Sequence, residues 1–320
     1  MQKDLLRRSR RIVTVLSLIA CLIMMAGCGE RRAETPTRGR VTFSVSEEVL
    51  PLLRTAETRF EELYPEAEIT LRPRPDREAI GDLFNDSVKL IVTARAMNAE
   101  EKAIQKKFNI EVNEFRIALD AVAIIVNNAN DVTRLTLPGA DSIFTGASMD
   151  WGLLGWNGSP GKINVYLPDK NSAACEVVAG RLPGLKPGRR GYTAPKKVCL
   201  TSRELISAVE SDPAGIGIVG LNWMRNNTAA VRVVELSDPS APESLGISGK
   251  YFAPHQAYVY KGYYPIVRDV YIYSTPDSYG VGSGFTSFMT GAAGQKIVQD
   301  QGLVPATMPV RLVELRNQNL

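Results

Sequence analysis

The stretch Lys162–Gly180 (KINVYLPDKNSAACEVVAG) places a short apolar strand containing Ile163, Val165 and Leu167 before a polar loop and a helix start. A helix start leaves backbone N–H groups without partners, and the helix dipole adds partial positive charge there. The chemistry on offer is anion binding. Lys170, Asn171, Ser172, Ala173 and Ala174 stand at this turn. An ordinary strand-to-helix connection has the same pattern, so the rest of the chain must decide its weight. Residues for other chemistries are scarce. His255 is the only histidine; it lies in Pro254-His255-Gln256 beside aromatic residues and reads as structural. There is no G-x-S-x-G elbow, and no base stands beside a nucleophile, so an enzyme is not expected. With no Cys-x-x-Cys or Cys/His cluster, no metal site and no cofactor are expected. Gly280–Gly284 lacks the Lys-Ser/Thr of a P-loop and reads as a loop entering a helix.

The N-terminus reads as an address. Lys3, Arg7, Arg8, Arg10 and Arg11 precede an apolar run from Ile12 to Met25, too short for a stop-transfer helix. Met25-Ala26-Gly27-Cys28 resembles a lipobox. Residues 1–27 are therefore expected to be a lipoprotein signal peptide, Cys28 the lipidated residue, and residues 28–40 a polar tether. This makes the chain membrane-anchored in a bacterial cell envelope, facing the periplasm or the exterior. Of 38 basic and 34 acidic side chains, residues 1–27 hold five Lys/Arg and one Asp, leaving 33 of each. The mature chain is formally neutral, which argues against nucleic acid as a partner. Cys175 and Cys199 remain beyond Cys28; outside the cytoplasm such a pair can be joined or free.

Elements to position the turn follow in alternation. Arg40–Val45 and Ala67–Leu71 read as strands, and Val88–Thr93 as a buried one. Val49, Leu52, Leu53, Ala56, Phe60 and Leu63 follow helical spacing, with Ser46 a possible cap and Pro51 delaying the regular part. Arg77–Phe84 is a short helix, and Asn98-Ala-Glu-Glu101 a capping box. This order implies a parallel sheet with helices on both faces. Phe115–Leu119, Asp120–Asn127 and Ala214–Val219 read as further strands, Thr201–Glu204 as another capping box, and Leu182–Lys197 as a surface loop. Tyr258–Tyr273 reads as strand-rich, Phe285–Gln301 as a helix, and Leu303–Leu315 as containing a closing strand.

Phe60-Glu-Glu-Leu-Tyr-Pro65, Thr93-Ala-Arg95 with Glu100-Glu101, Asp120–Asn127, Ile143-Phe-Thr-Gly146 with Trp151, Gly215–Gly220, Tyr264-Pro265, and Gly294-Gln-Lys-Ile297 with Gly302–Pro305 recur in order. Together they make the chain resemble, over residues 41–315, the PstS-like phosphate-binding proteins of ABC importers, in particular lipoprotein members of Bacteroidetes type. The resemblance implies an α/β, two-lobed periplasmic-binding-protein-like fold (type II), each lobe a mainly parallel sheet flanked by helices. Two crossings, near Leu119–Ala121 and Tyr258–Tyr264, would separate lobe one (41–120 plus 260–320) from lobe two (121–259). The lobes would close by hinge motion over an oxyanion.

Carried over by residue, the resemblance implies a site at the helix starts Ser46-Glu47-Glu48 and around Asp76-Arg77-Glu78, at the strand end Thr93-Ala94-Arg95, and at Ser172-Ala173-Ala174. The family's Ser-Gly-Thr triplet falls on these last three, so its threonine hydroxyl is absent, and its arginine position falls on Pro168. Lys170, Arg77 or Arg95 would have to replace that arginine. Glu47 or Glu78 would accept a proton from HPO4 2−, or repel a fully ionised oxyanion. By the fold, helices starting near Ala174 and Thr201 begin close together, so a Cys175–Cys199 disulfide would brace the loop. The implied function is a monomeric, lipid-anchored solute-binding protein handing phosphate or a similar oxyanion to ABC permease subunits. The alternative is an envelope sensing or attachment protein whose ligand site has drifted.

Overall fold

The computed structural model describes residues 33–155, 161–225, 229 and 231–307. The expected signal peptide, Cys28, the first part of the tether and the end of the closing segment lie outside these residues. The described chain runs β1 Arg38–Ser46, α1 Leu50–Leu63, β2 Glu66–Arg74, α2 Asp76–Phe84, β3 Leu90–Thr93, α3 Ala99–Lys107 and β4 Asn113–Asn127. It continues β5 Arg134–Thr136, α4 Leu137–Phe144, β6 Asn164–Pro168, α5 Ala173–Arg181, β7 Lys197–Cys199, α6 Ser202–Glu210 and β8 Gly215–Gly220. It ends α7 Leu221–Met224, β9 Val231–Val233, β10 Glu235–Ser237, α8 Gln256–Tyr260, β11 Val267–Ser274, α9 Val281–Thr290, α10 Ala292–Asp300 and β12 Val304–Pro305.

One continuous strand order, β2-β1-β3-β11-β4-β8-β6-β7, runs through the molecule. Residues Asn113–Ala121 of β4 pair antiparallel with β11, and Val122–Val126 pair antiparallel with β8. β4 therefore belongs to two sheets, and the partner changes between Ala121 and Val122. Within each sheet the outer strands are parallel: β2-β1-β3 on one side, β8-β6-β7 on the other. The second crossing lies against the first. Val122 N–H donates to Ile266 O at 3.0 Å, and Tyr264 Oη to Val122 O at 2.9 Å.

Helices cover both faces of both sheets. Leu52, Leu53, Ala56 and Phe60 of α1 pack with Phe43, Val45, Phe285 and Met289 on one face of the first sheet. Ala79, Ile80 and Leu83 of α2 pack with Ile91 and Tyr273 on the other. On the second sheet, Val178 of α5 and Phe144 of α4 pack with Ile124, Val165 and Ile218. Leu205, Ile206 and Val209 of α6 pack with Ile125 and Val219 opposite. Strand residues alternate between these clusters because successive side chains leave opposite faces. The halves meet closely enough that the described residues from Thr35 onward pack as one unit. Among the described residues no helix is long and apolar enough to cross a membrane.

Several expectations are corrected. Phe115–Leu119 and Asp120–Asn127 form one 15-residue strand, because nothing in the apolar run breaks the ladder where its partner changes. Tyr258–Tyr260 is helical rather than strand; His255 caps that turn, its Nδ1 accepting from Ala257 N–H at 3.2 Å. The helix expected over Phe285–Gln301 starts at Val281 and breaks at Gly291. Ser46 caps nothing, since its hydroxyl is spent on Asp76. Cys175 and Cys199 are free and buried. The thiols belong to cores on opposite faces of the second sheet, so the β6–β7 layer stands between them.

Candidate functional site

Four elements end at one seam between the sheets. β1 delivers Ser46, Glu47 and Glu48; the start of α2 delivers Asp76; α5 and α6 present their N-termini from the other side. The alignment is a consequence of topology: in a parallel sheet all strand-to-helix turns fall at the same edge. Ser172 caps α5 by accepting from Cys175 N–H at 3.4 Å, and Thr201 caps α6 by accepting from Glu204 N–H at 3.1 Å. These caps leave the N–H groups of Ala173, Ala174 and Ser202 aimed at the seam.

Carboxylates of the chain itself take those donors. Asp76 Oδ2 accepts from Ala173 N–H at 3.1 Å and from Ser46 Oγ at 2.8 Å, while its Oδ1 accepts from Ala94 N–H at 2.6 Å. Glu48 accepts from Ala174 N–H, 3.0 and 3.1 Å from its two oxygens. Glu47 takes Ser202 N–H at 3.0 and 3.1 Å and Ser202 Oγ at 2.8 Å. The guanidinium in the seam is that of Arg268, from β11. It is fully buried, pairs with Glu48, and donates from Nε and Nη2 to Asp120 Oδ2 at 2.9 and 2.8 Å. The seam thus holds four carboxyls and one guanidinium.

Their proton affinities reflect this crowding. Burial pushes Glu47 up to about 7 against the hydrogen bonds from Ser202. Burial, then the neighbouring Glu48, pushes Asp76 up to about 6. Burial also raises Asp120, against the pull of Arg268. For Arg268 burial works against the cation, but Glu48 and Asp120 outweigh it and hold the proton more firmly. What space is left between Glu47, Glu48, Asp76, Ser172 and Thr201 is about 20 Å³. That is room for about one water and none for a tetrahedral oxyanion.

Of the residues expected from sequence, Ser46, Glu47, Glu48, Asp76, Ala94, Ser172, Ala173 and Ala174 meet at this seam. The others do not. Arg77 turns outward to Glu100 at 2.6 Å, and only its N–H, donating to Asn171 O at 3.1 Å, touches the other side. Glu78 faces Arg74 at the surface. Thr93 donates to Arg95 O at 2.8 Å, closing its own turn. Arg95 is buried and held by carboxylates, with two 2.7 Å bonds to Glu101 and a 2.9 Å contact to Glu176, so it ties the halves together instead of replacing the missing arginine. Lys170 and Asn171 line an outer groove of about 720 Å³ with Arg77 and Glu176.

Sequence reasoning missed Asp120, Arg268 and Ser202 as site residues, and placed Glu48 and Asp76 only as members of the two expected helix starts. The available signal was a charge within an apolar pattern. Asp120 interrupts a buried run, and Arg268 shares the inward parity of Val270 and Ile272. A charge in such a place is paired with another.

Comparison with known proteins agrees with this architecture. A model of the PBP superfamily domain matches residues 30–293. The phosphate-binding protein PstS of Bacillus subtilis (strain 168) is 24% identical over 314 residues, covering 94% of this chain and 95% of that protein. PstS of Staphylococcus saprophyticus is 25% identical over 210 residues, 65% of this chain and 60% of that one, so this match spans under two thirds of that relative. Among solved structures, a Clostridium perfringens protein described as a phosphate ABC transporter substrate-binding protein with bound phosphate superposes with a TM-score of 0.71. It is 20% identical, over 83% of this chain and 99% of that one. The likeness is to binding proteins rather than to enzymes. The chain belongs to the PBP superfamily domain family, and within it is PstS-like, with the two-lobed fold of the phosphate-binding proteins.

Proposed function

We propose that this chain is a cell-envelope solute-binding protein, held to a membrane by lipid on Cys28, that binds phosphate or a similar small oxyanion at the interlobe seam and serves an ABC permease. Residues 41–120 plus 260–320 and residues 121–259 are its two moving bodies, and it acts as a monomer. The observation that carries this reading is the convergence of Ala94, Ala173, Ala174 and Ser202 N–H groups with the Arg268 guanidinium on negatively charged oxygens. These groups are anion ligands in every respect except that the anions belong to the protein. An oxyanion entering the seam must displace carboxylates, so affinity is expected to be modest. Calorimetric titration of the mature chain with phosphate checks this; absence of binding at millimolar phosphate removes the assignment and leaves the fold intact. Loss of the protein from the membrane fraction on Cys28→Ser checks the anchor.

The same carboxylates favour one second reading, an envelope sensing or attachment protein on this scaffold. A gene neighbourhood encoding permease and ATPase subunits counts against it, and isolation from such genes supports it.

A further inference from the structure

Glu48 is the seam carboxylate that both meets a helix start beside the second sheet and pairs with the buried guanidinium of Arg268. Its side chain starts from the turn after β1, beside the first sheet. Its carboxylate reaches Ala174 N–H at the start of α5, beside the second. Its backbone carbonyl accepts from Asn222 Nδ2 of α7 at 2.6 Å. It also neutralises Arg268, whose other partner, Asp120, lies one residue before the partner change in β4. Helix start, buried guanidinium and hinge strand are thus joined through one carboxylate, 4% exposed.

We propose that Glu48 is a tethered occupant of the anion site: it closes the two lobes without solute and competes with any external oxyanion for the Ala174 N–H and Arg268. The proposal rests on the functional reading above only in taking the free competitor to be an oxyanion. Closure by hinge motion requires that something bind both bodies at once. In this chain Glu48 fulfils that condition from within the protein itself. A ligand attached to the protein acts at a high effective concentration, so a free anion making the same contacts is at a disadvantage. Glu47 and Asp76 also cross the seam, but neither makes an ion pair with Arg268. Without Glu48, Arg268 and the α5 start would face a space the size of a carboxylate, which a small anion can refill.

The test compares the mature wild-type chain with Glu48→Ala and Glu48→Gln by small-angle scattering and by calorimetric titration with phosphate. Wild type is expected to be closed without solute. Glu48→Ala is expected to show a larger radius of gyration that returns to the wild-type value on adding formate or phosphate, and to bind phosphate about tenfold or more tightly than wild type. Glu48→Gln keeps the volume and an acceptor but not the charge, and folds even if truncation does not; it is expected to fall between the two. A Glu48→Ala chain as compact as wild type without added anion overturns the proposal, as does a Glu48→Gln chain that matches wild type in both size and affinity. If formate recloses Glu48→Ala while phosphate binds none of the three proteins, the tethered carboxylate stands and the phosphate reading falls. If phosphate binds wild type and both variants equally, the reverse holds.

Discussion

At Glu47 and Asp76 the folded chain holds protons that an unfolded chain would release. Their carboxyls are pushed up to about 7 and about 6, in both cases first by burial. Between the ordinary carboxylate range and about pH 7 the native state therefore carries more protons than the unfolded one, so stability must fall as pH rises through this window and level off above it. Each tenfold change in proton affinity is worth about 1.4 kcal/mol, enough to move the melting temperature by several degrees. Thermal melts between about pH 5 and pH 8 should descend, and the Glu47→Gln/Asp76→Asn double variant should flatten the descent. A rising curve, or an unchanged slope in the double variant, would refute the assignment. Arg268 is the counterpart. Replacing it with Met leaves Glu48 and Asp120 buried without their cation, at a cost of about 3–5 kcal/mol in urea unfolding; a loss below about 1 kcal/mol would mean that the pairing is dispensable. These residues explain why the site was only half legible in the sequence. Ser172–Ala174 announce themselves through a local signal, the strand-to-helix turn. Glu48, Asp120 and Arg268 come together only because β4 and β11 pair across more than a hundred residues of chain, and no local pattern encodes that pairing.

The elements were more legible, because periodicity is local. The helical stripe from Val49 to Phe60, the buried runs of β4 and β8, and the capping box at Asn98 all stand close to where spacing puts them. The misjudged boundaries lie where tertiary context decides, as at the aromatic turn after His255. One glycine shows the same coupling of element to site. A Cβ on Gly220, at the end of β8, would sit 2.4 Å from Arg268 Nη2 and 3.0 Å from Glu48 O. The guanidinium is locked between two carboxylates and has nowhere to retreat. Gly220→Ala should therefore cost about 1–3 kcal/mol by overpacking. Gly180, in α5, has nothing within 4 Å of such a Cβ, so Gly180→Ala should gain roughly 0.5–1 kcal/mol from helix propensity. Chemical denaturation of the pair checks both signs. Equal effects would mean that the close approach at Gly220 does not constrain Arg268.

For the whole molecule the question is whether the two halves, which the proposed function requires to move, also unfold separately. Two features couple them. The 15 residues of β4 form ladders in both sheets, so neither sheet can lose its share of β4 without fraying the other. The seam adds the Glu47, Glu48 and Asp76 contacts to α5 and α6, and the Arg95 and Asn98 contacts to Glu176. Opening by rotation at the crossings leaves the ladders intact, whereas unfolding one lobe does not. Hinge motion and cooperative melting are therefore compatible. The tryptophans make this testable without labels. All three, Trp151, Trp156 and Trp223, fall between residues 121 and 259. Trp151 is buried in the core of the second sheet and Trp223 stands at the seam, its indole N–H on Glu47 O at 3.3 Å, so fluorescence weights the second sheet and the seam, while far-ultraviolet circular dichroism follows both sheets. The expected outcome is a single transition with coincident midpoints by the two probes. Midpoints separated by more than a few degrees would mean that β4 and the seam do not bind the two bodies into one cooperative unit, and that the lobes are stable independently.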